Sequence, residues 1–476
     1  MLSEMMHHAR KCASVIKSQR EVVVVSHIDA DGLASAAIIC KALERAGICF
    51  DAQFVKQLGE DELSDIANFN PPFVIFTDLG STMIEQIKKL GINAVVSDHH
   101  QSPSCLAPGD QKGNPLHLNP HLFGINGSQE LSGSGTTFLI ACALGDFPDQ
   151  NRELADLAVV GAVGDLQHIK EGRLTGANRS ILEIARDAKV LSYKTDVLFF
   201  GKQTRPVFKL LQYASDPYIN GLTGNESACI AFLKDTNIRS QGERWRRWID
   251  LEKAEKQRII SKLVRYQLSE GVPAYKLQRM IGEVYILLRE TEGVELRDAQ
   301  EYSTLLNATA RYDHAKVGLA VCMGERGDAF EEAQELLANH RKNLVDGLNF
   351  VKENGVTTLE SFQYFDSGNR IRDTIVGIVA GMSQTIVSNR SLPIIAFASA
   401  SGKSDHTVKV SARGNQDLVR RGLNLAAALS TAAKKVEGTG GGHDIAAGAT
   451  IPSTAKDEFI IYLNEEIKKQ IFTATL

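Results

Sequence analysis

"VSHIDADGLA", residues 25–34, closes a run of valines with a histidine and two aspartates at alternate positions. Val22 to Val25 read as a short strand that is apolar on both faces, the signature of a parallel sheet covered on both sides. Charged side chains are costly there unless they stand just past the strand's end. If the chain stays extended, residues two apart project to one side, so His27, Asp29 and Asp31 would converge on one point. Gly32 is then expected to turn the chain tightly, and Leu33 to Arg45 continues at helical spacing. In open α/β sheets, ligands bind in the crevice past the strand ends.

Working outward, "EVVVVS", "PPFVIFT" and "INAVVS" are strand-like runs, each followed by a helical pattern. Such alternation predicts βαβ units and a parallel sheet. Each run ends in side chains that bind metals: Asp78 after "VIFT", and Asp98, His99 and His100 after "AVVS". "LADLAVVGAVGDL" adds Asp165, and its length and Ala/Gly content favour a helix over a strand. A lone Asp after a strand is ordinarily a cap or turn residue, whereas four such positions together point to a cation site. Mixed carboxylates and imidazoles suit Mn²⁺ or Mg²⁺ better than thiophilic metals. The seven cysteines are scattered, odd in number and without a CxxC pair, which argues against disulfides and structural zinc.

The 476 residues suffice for two or three domains, and 43% hydrophobic with 23% charged residues is ordinary for a globular protein. No apolar run reaches the roughly 18 residues of a membrane span, and the first 20 residues lack a signal-peptide core, so a cytoplasmic location is expected. The net charge of −4 hides an asymmetry: residues 1–190 carry 16 Lys+Arg against 23 Asp+Glu, and residues 341–476 carry 16 against 13. An acidic cation-collecting first part and a basic last part would suit a polyanionic substrate. From about 190 to 340 the pattern is mostly helical, including "GERWRRWIDLEKAEKQRIISKLVRYQL", with one strand, "EVYILLR". Beyond the glycine-broken region 352–370, "LPIIAFAS" and "TVKVSAR" read as neighbouring strands, then "NQDLVRRGLNLAAALSTAAKKV" as a helix leading to a glycine-rich turn. Trp245 and Trp248, among Arg244, Arg246 and Arg247, could stack on bases, but packing of one helical face is the expected role. His117, His121 and His168 are expected in loops or packing.

Near the C-terminus, Gly440, Gly441 and Gly442 can bring backbone N–H groups close to a phosphate, with His443 as a further donor. Ser411 and Arg413, two apart on an expected strand, share a face and could contact phosphates.

HxDxDG, a strand-end Asp, DHH and a later GD resemble the four motifs of the DHH phosphoesterase superfamily. "TGGGHDIAAGA" (439–449) resembles the GGGH motif of the DHH-associated domain, and "KVSARGN" its SxRS element, with Gly414 in place of the second serine. With its length and helical insert, the chain is similar to archaeal RecJ-like single-strand nucleases over nearly its full extent. The resemblance implies an α/β fold: a parallel-sheet DHH domain (1–190), a mostly helical insert (191–350) and a smaller α/β DHH-associated domain (351–476), with the active site in the cleft between lobes. It implies two divalent cations, Mn²⁺ first and Mg²⁺ as the alternative, bridged by Asp78. His27 and Asp29 would hold one, and Asp31, His99 and Asp165 the other. Asp98 would orient a neighbouring ligand, His100 would point at the scissile phosphate, and Ser411, Arg413, Gly440, Gly441, Gly442 and His443 would bind substrate. The implied activity is exonucleolytic hydrolysis of single-stranded DNA, 5′ to 3′, with RNA as a second substrate, in replication or repair and in association with the GINS complex. The competing expectations are a phosphatase of short oligonucleotides or nucleotide bisphosphates, which smaller relatives exemplify, and a replication scaffold.

Overall fold

The computed structural model describes residues 1–101, 114–147, 149–214, 218–238, 245–384, 386, 387, 389, 391–400 and 406–472. The chain divides into two units, Met1–Leu337 and Ala338–Leu476.

The valine run becomes β1 (Glu21–His27), which pairs in parallel with β2 (Cys49–Val55) on one side and β3 (Val74–Thr77) on the other. β4 (Ala94–Ser97) and β5 (Leu116–Leu118) extend the sheet, giving the order β2-β1-β3-β4-β5 with every pair parallel. Around it lie α1 (Leu2–Lys17), α2 (Ala30–Arg45), α3 (Glu60–Asn68), α4 (Ile84–Lys89), α5 (Gly133–Leu144) and α6 (Ala155–Gly164). Successive strand residues point to opposite layers. Val22, Val24, Ile75 and Val95 join a core with residues of α1, α2, α5 and α6, while Val25, Val74, Phe76 and Val96 pack with Leu63, Ile66, Ile84 and Ile87. Helices on both faces explain why the strands carry no polar alternation. β2 sits at the sheet edge, where its Asp51 and Cys49 are exposed, and β5 has only three residues. Neither carries the apolar run that marks β1, β3 and β4. The chain leaves β1 for β2 and returns on the other side as β3, so the strand order reverses at the β1/β3 boundary, the place where open sheets leave a crevice at their carboxyl ends.

Residues 197–281 build a separate core that includes Phe208, Phe232, Leu233, Trp248 and Leu263, bounded by the antiparallel pair β6 (Leu191–Val197) and β7 (Ile281–Leu287). The charged stretch supplies the helix Lys253–Ser269, and "EVYILLR" supplies most of β7. Trp248 is buried and donates Nε1 to Asp196 Oδ1 at 2.9 Å, and Trp245 stands edge-on to Phe208; both rings serve packing. Arg246 and Arg247 pair with Glu255 and Asp250, and Arg244 lies outside the described residues. After β7 the chain returns: the helices Ala299–Arg311 and Ala315–Met323 pack on α2 and, for the first of them, α6.

The second unit holds a six-stranded sheet of β8 (Thr357–Thr358), β9 (Gln363–Asp366), β10 (Ile394–Ser399), β11 (Thr407–Arg413), β12 (Thr439–Gly442) and β13 (Ala446–Pro452), in the order β12-β13-β11-β10-β9-β8. The two expected neighbours are β10 and β11, antiparallel with Ile394 opposite Arg413. The single helix expected over 415–436 is two, Gln416–Arg420 and Leu425–Lys434. Gly422 at φ +99° breaks it, and Asn424 caps the second helix by accepting from Ala427 N. Thr439–Gly442 is an edge strand paired with β13 rather than a turn, and the turn itself is formed by His443 to Ile445. Among the described residues no helix is long and apolar enough to cross a membrane.

Candidate metal centre

His27 is the last residue of β1, Asp29 is the N-cap of α2 with its Oδ1 accepting from Gly32 N at 2.9 Å, and Asp31 lies in the first helical turn. The expected extended alternation and single meeting point are therefore corrected: the strand runs directly into a capped helix, which leaves His27 and Asp29 in one donor group and turns Asp31 into another. Gly32 is helical rather than a turn residue, and its need is space, since a Cβ there would stand 2.3 Å from the His27 carbonyl oxygen.

Asp78 follows β3 in a left-handed conformation (φ +59°) while its N–H still donates to Ser97 O at 2.8 Å. Its Oδ2 lies 3.6 Å from His27 Nδ1 and its Oδ1 3.2 Å from His99 Nε2. Asp78 thus presents one oxygen toward His27–Asp29 and the other toward His99, and within each of three groups the donor atoms lie within 4.8 Å of one another: His27–Asp29–Asp78, Asp31–His99–Asp165 and Asp78–His99–His100. Asp31 accepts from Gly133 N (2.7 Å) and Ser134 N (3.0 Å), so the N-terminus of α5, capped by Ser132, fixes and favours its charge. Asp165, the C-cap of α6, accepts from Gln167 Nε2 at 2.8 Å, and Asn178 holds Gln167 in turn. His99 Nδ1 is 2.7 Å from Gly127 O, which turns Nε2 toward Asp78. Asp98 accepts from the backbone N–H of Ser81, His99 and His100 and contacts His100 Nδ1 at 2.8 Å. It therefore orients His100, whose ring remains half exposed.

Burial works against charge on His27 and His99, but Asp29 and Asp78 around the first and Asp78, Asp165 and Asp31 around the second raise both imidazoles well above their ordinary value. Burial and Asp78 push Asp31 up to about 8, and burial also raises Asp165. Burial opposes but Asp98 prevails at His100, which rises to about 9. The carboxylates that raise the two imidazoles would equally favour a bound cation. Asp78 Oδ1 and His27 Nδ1 are buried and make no well-aligned hydrogen bond, although His99 Nε2 stands 3.2 Å from the first and Asp29 Oδ2 3.0 Å from the second, and a bound cation would satisfy such atoms. The donor set and these atoms fit divalent cations.

The second unit places Ser411 and Arg413 on one face of β11, where both approach Gly377: a Cβ there would stand 3.1 Å from Ser411 Oγ and 2.5 Å from Arg413 Nη2. At Gly414, where the motif has serine, a Cβ would come within 2.9 Å of the end of the Leu423 side chain. Gly441, Gly442 and His443 are exposed and Gly440 half-buried. His117 contacts Ser81 Oγ at 2.8 Å, behind Asp98, and His168 packs edge-on to Tyr285. His121 is half-buried, and its Nε2 lies within reach of a Cβ placed at Gly127.

Sequence reasoning missed the glycines that let the elements close in. A Cβ at Gly133 would stand 2.3 Å from Asp78 Oδ1, one at Gly161 2.3 Å from Asp31 Oδ1, and one at Gly164 2.7 Å from Ala30 Cβ. It also missed what the helix Ala299–Arg311 brings to the site: Asn307 Oδ1 accepts from Ala30 N at 3.1 Å, and, against burial, Arg311 adds to His27 and Gly32 N in holding Asp29 low. "LSGSGTT" carries a cap signal, but nothing local in "STLLNATARY" marks a partner about 280 residues away.

Three family models match the chain: DHH family, N-terminal domain over residues 21–162, DHH-CID domain over 199–281 and DHHA1 domain over 360–469. An uncharacterized protein of Methanocaldococcus jannaschii is 30% identical over 98% of this chain and 100% of its own length. The chain belongs to the DHH superfamily. Among curated DHH relatives, the single-stranded-DNA-specific exonuclease RecJ of Escherichia coli is 29% identical over 211 residues, 36% of each protein. RecJ of Thermus thermophilus, solved with Mn²⁺, superposes with a TM-score of 0.59 at 16% identity, covering 97% of this chain and 55% of that one. CDC45 from Entamoeba histolytica superposes with a TM-score of 0.63 at 11% identity over 98% of both chains. These likenesses establish a RecJ-like DHH fold.

Proposed function

We propose that this DHH protein is a two-metal phosphodiesterase that hydrolyses single-stranded nucleic acid from an end. The observation that carries the reading is Asp78, a buried carboxylate whose two oxygens face two separate donor groups. His27, Asp29 and Asp78 would hold one ion, and Asp31, Asp78, His99 and Asp165 the other. Mn²⁺ and Mg²⁺ are the candidates, since RecJ structures of the same fold contain each of them. Two such ions lower the pKa of bound water and neutralise charge developing at phosphorus. The protein's own part is positioning. Asp98 fixes Nδ1 of His100, leaving the other nitrogen free to face a phosphate oxygen. Ser411, Arg413, the Gly440–Gly442 strand and His443 are assigned to the phosphates of the bound strand. DNA as substrate, 5′-to-3′ polarity, a replication or repair role and association with GINS follow from the family resemblance alone.

The test is digestion of end-labelled single-stranded DNA, single-stranded RNA and blunt duplex DNA with Mn²⁺ or Mg²⁺. A ladder receding from one end of a single strand, with the duplex spared, is expected. No product from any strand with either metal, or equal rates on duplex and single strand, overturns the reading. Products confined to substrates of a few nucleotides would instead mark a short-oligonucleotide phosphatase.

A further inference from the structure

Away from the metal centre, the first unit contains a cavity of about 510 Å³ lined by residues of α2, α6, the segment after β7 and the helix Ala315–Met323. Lys41 on α2 is ten residues beyond Asp31, and Asp156 on α6 nine before Asp165, so at 1.5 Å per residue the cavity lies roughly 14 Å along each helix from the carboxylates of the centre. None of the metal-centre side chains lines it.

Its polar wall holds three cations, Lys41, Arg289 and Arg326, against Asp156 and Glu290. Arg326 is saturated: Nε and Nη2 grip Glu290, and Nη1 donates to Val321 O and Glu325 O. Arg289 is not. Its Nη2 makes both of its contacts, to Asp156 Oδ2 and Glu153 O, while Nε and Nη1 donate to no acceptor among the described residues. Lys41 Nζ donates once, to Met323 O at 2.9 Å, and forms no ion pair among the described residues. Two cations with spare N–H donors therefore line one cavity. Burial first, then Arg45 and Arg289, lower the Lys41 pKa, and Asp156 opposes them only in part. The rest of the lining is largely apolar and partly aromatic, with Leu157, Leu287, Val294, Leu296, Tyr302 and Phe330, and Thr291 adds a hydroxyl. The volume falls within the range of small-molecule sites. A bare phosphate would satisfy the cations and leave the apolar wall wet. A phosphate carrying a ribose and a planar base covers both walls.

We propose that this cavity is a binding site for a nucleoside phosphate, with the phosphate on Lys41 and Arg289 and the base against the Leu287–Phe330 wall.

The test is calorimetric titration of the metal-free full chain, in EDTA, with AMP, GMP, CMP, UMP and inorganic phosphate. One saturable site per chain is expected for at least one nucleotide, with phosphate at least tenfold weaker. Lys41→Met, which keeps the length of a partly exposed side chain, should weaken nucleotide binding at least tenfold. Arg289→Gln should do the same but strands buried Asp156, so Lys41→Met decides where folding is in question. Asp78→Asn should leave nucleotide affinity within twofold. Absence of saturable nucleotide binding overturns the proposal. So does binding that survives Lys41→Met but collapses in Asp78→Asn, which would place it at the metal centre, and so does phosphate binding as tightly as the nucleotides.

Discussion

Replacing Gly133 by alanine tests the metal centre through a residue that ligates nothing. The new methyl carbon would stand 2.3 Å from Asp78 Oδ1 and 2.8 Å from its Cβ and Cγ, more than 1 Å inside ordinary contact. Neither side can yield cheaply. Asp78 is anchored by its N–H to Ser97 O, and Gly133 N holds Asp31 Oδ2 at 2.7 Å at the head of α5. Relief therefore shifts the bridging carboxylate, the helix start or both by about 1 Å. Overpacking of this kind costs about 1–3 kcal/mol, a few degrees of Tm. A displacement of about 1 Å at reacting groups costs about 10²-fold in rate. The expected outcome is a folded protein whose Mn²⁺ affinity falls at least tenfold and whose kcat on single-stranded DNA falls about 10²-fold. Gly327→Ala is the control, because a Cβ there meets nothing within 4 Å. Isothermal titration with Mn²⁺, differential scanning calorimetry in EDTA and steady-state kinetics read the three quantities separately. Gly133→Ala with wild-type Mn²⁺ affinity and kcat within threefold would refute the placement of Asp78 between two ion sites.

Asp78→Asn, chosen because asparagine tolerates the left-handed backbone at this position, should lower turnover at least 10²-fold and bound metal below the wild-type complement, with single-strand affinity within a few-fold; metal analysis and filter binding check it. In the metal-free protein His27, His99, Asp31 and Asp165 all have raised pKa values. The native state then binds more protons than the unfolded chain, so stability falls with rising pH; for the imidazoles it is lost from above about 6.5, and for Asp31 progressively up to about 8. The Tm in EDTA should decline between pH 6 and 8.5 while stabilisation by Mn²⁺ grows, with proton release on binding seen as a buffer-dependent calorimetric enthalpy; a Tm in EDTA that rises over this interval contradicts the assignment. Arg413→Ala and His443→Ala should leave Mn²⁺ titrations unchanged and lower activity, Arg413→Ala also flattening the salt dependence of strand binding by about one phosphate contact; undiminished turnover in both would remove the second unit from substrate binding.

The sequence by itself determined the strands that end in the candidate metal ligands. Unbroken apolar runs such as 22–25 and 74–76 can be buried only between two helical layers, and the residues just past them, His27, Asp78, Asp98 and His99, had to lie at one end of the sheet. It also singled out Asp165, because a polar residue ending an apolar helix is conspicuous. The local path from His27 to Asp31 was misread, since periodicity cannot distinguish two more extended residues from an N-cap that begins a helix at Ala30. The Gly440–Gly442 run was misread for the same reason: glycine permits a turn, but pairing with β13 decided for a strand. Only the tertiary structure decided which groups face each other across large separations. The α5 N-terminus meets Asp31 across 102 residues, Asn307 meets Ala30 across 277, and Gly133 and Gly161 matter for the atoms they leave room for. Such contacts leave no periodic trace, because each depends on two surfaces brought together by the packing of whole helices on the sheet rather than on the neighbours of either residue in the chain.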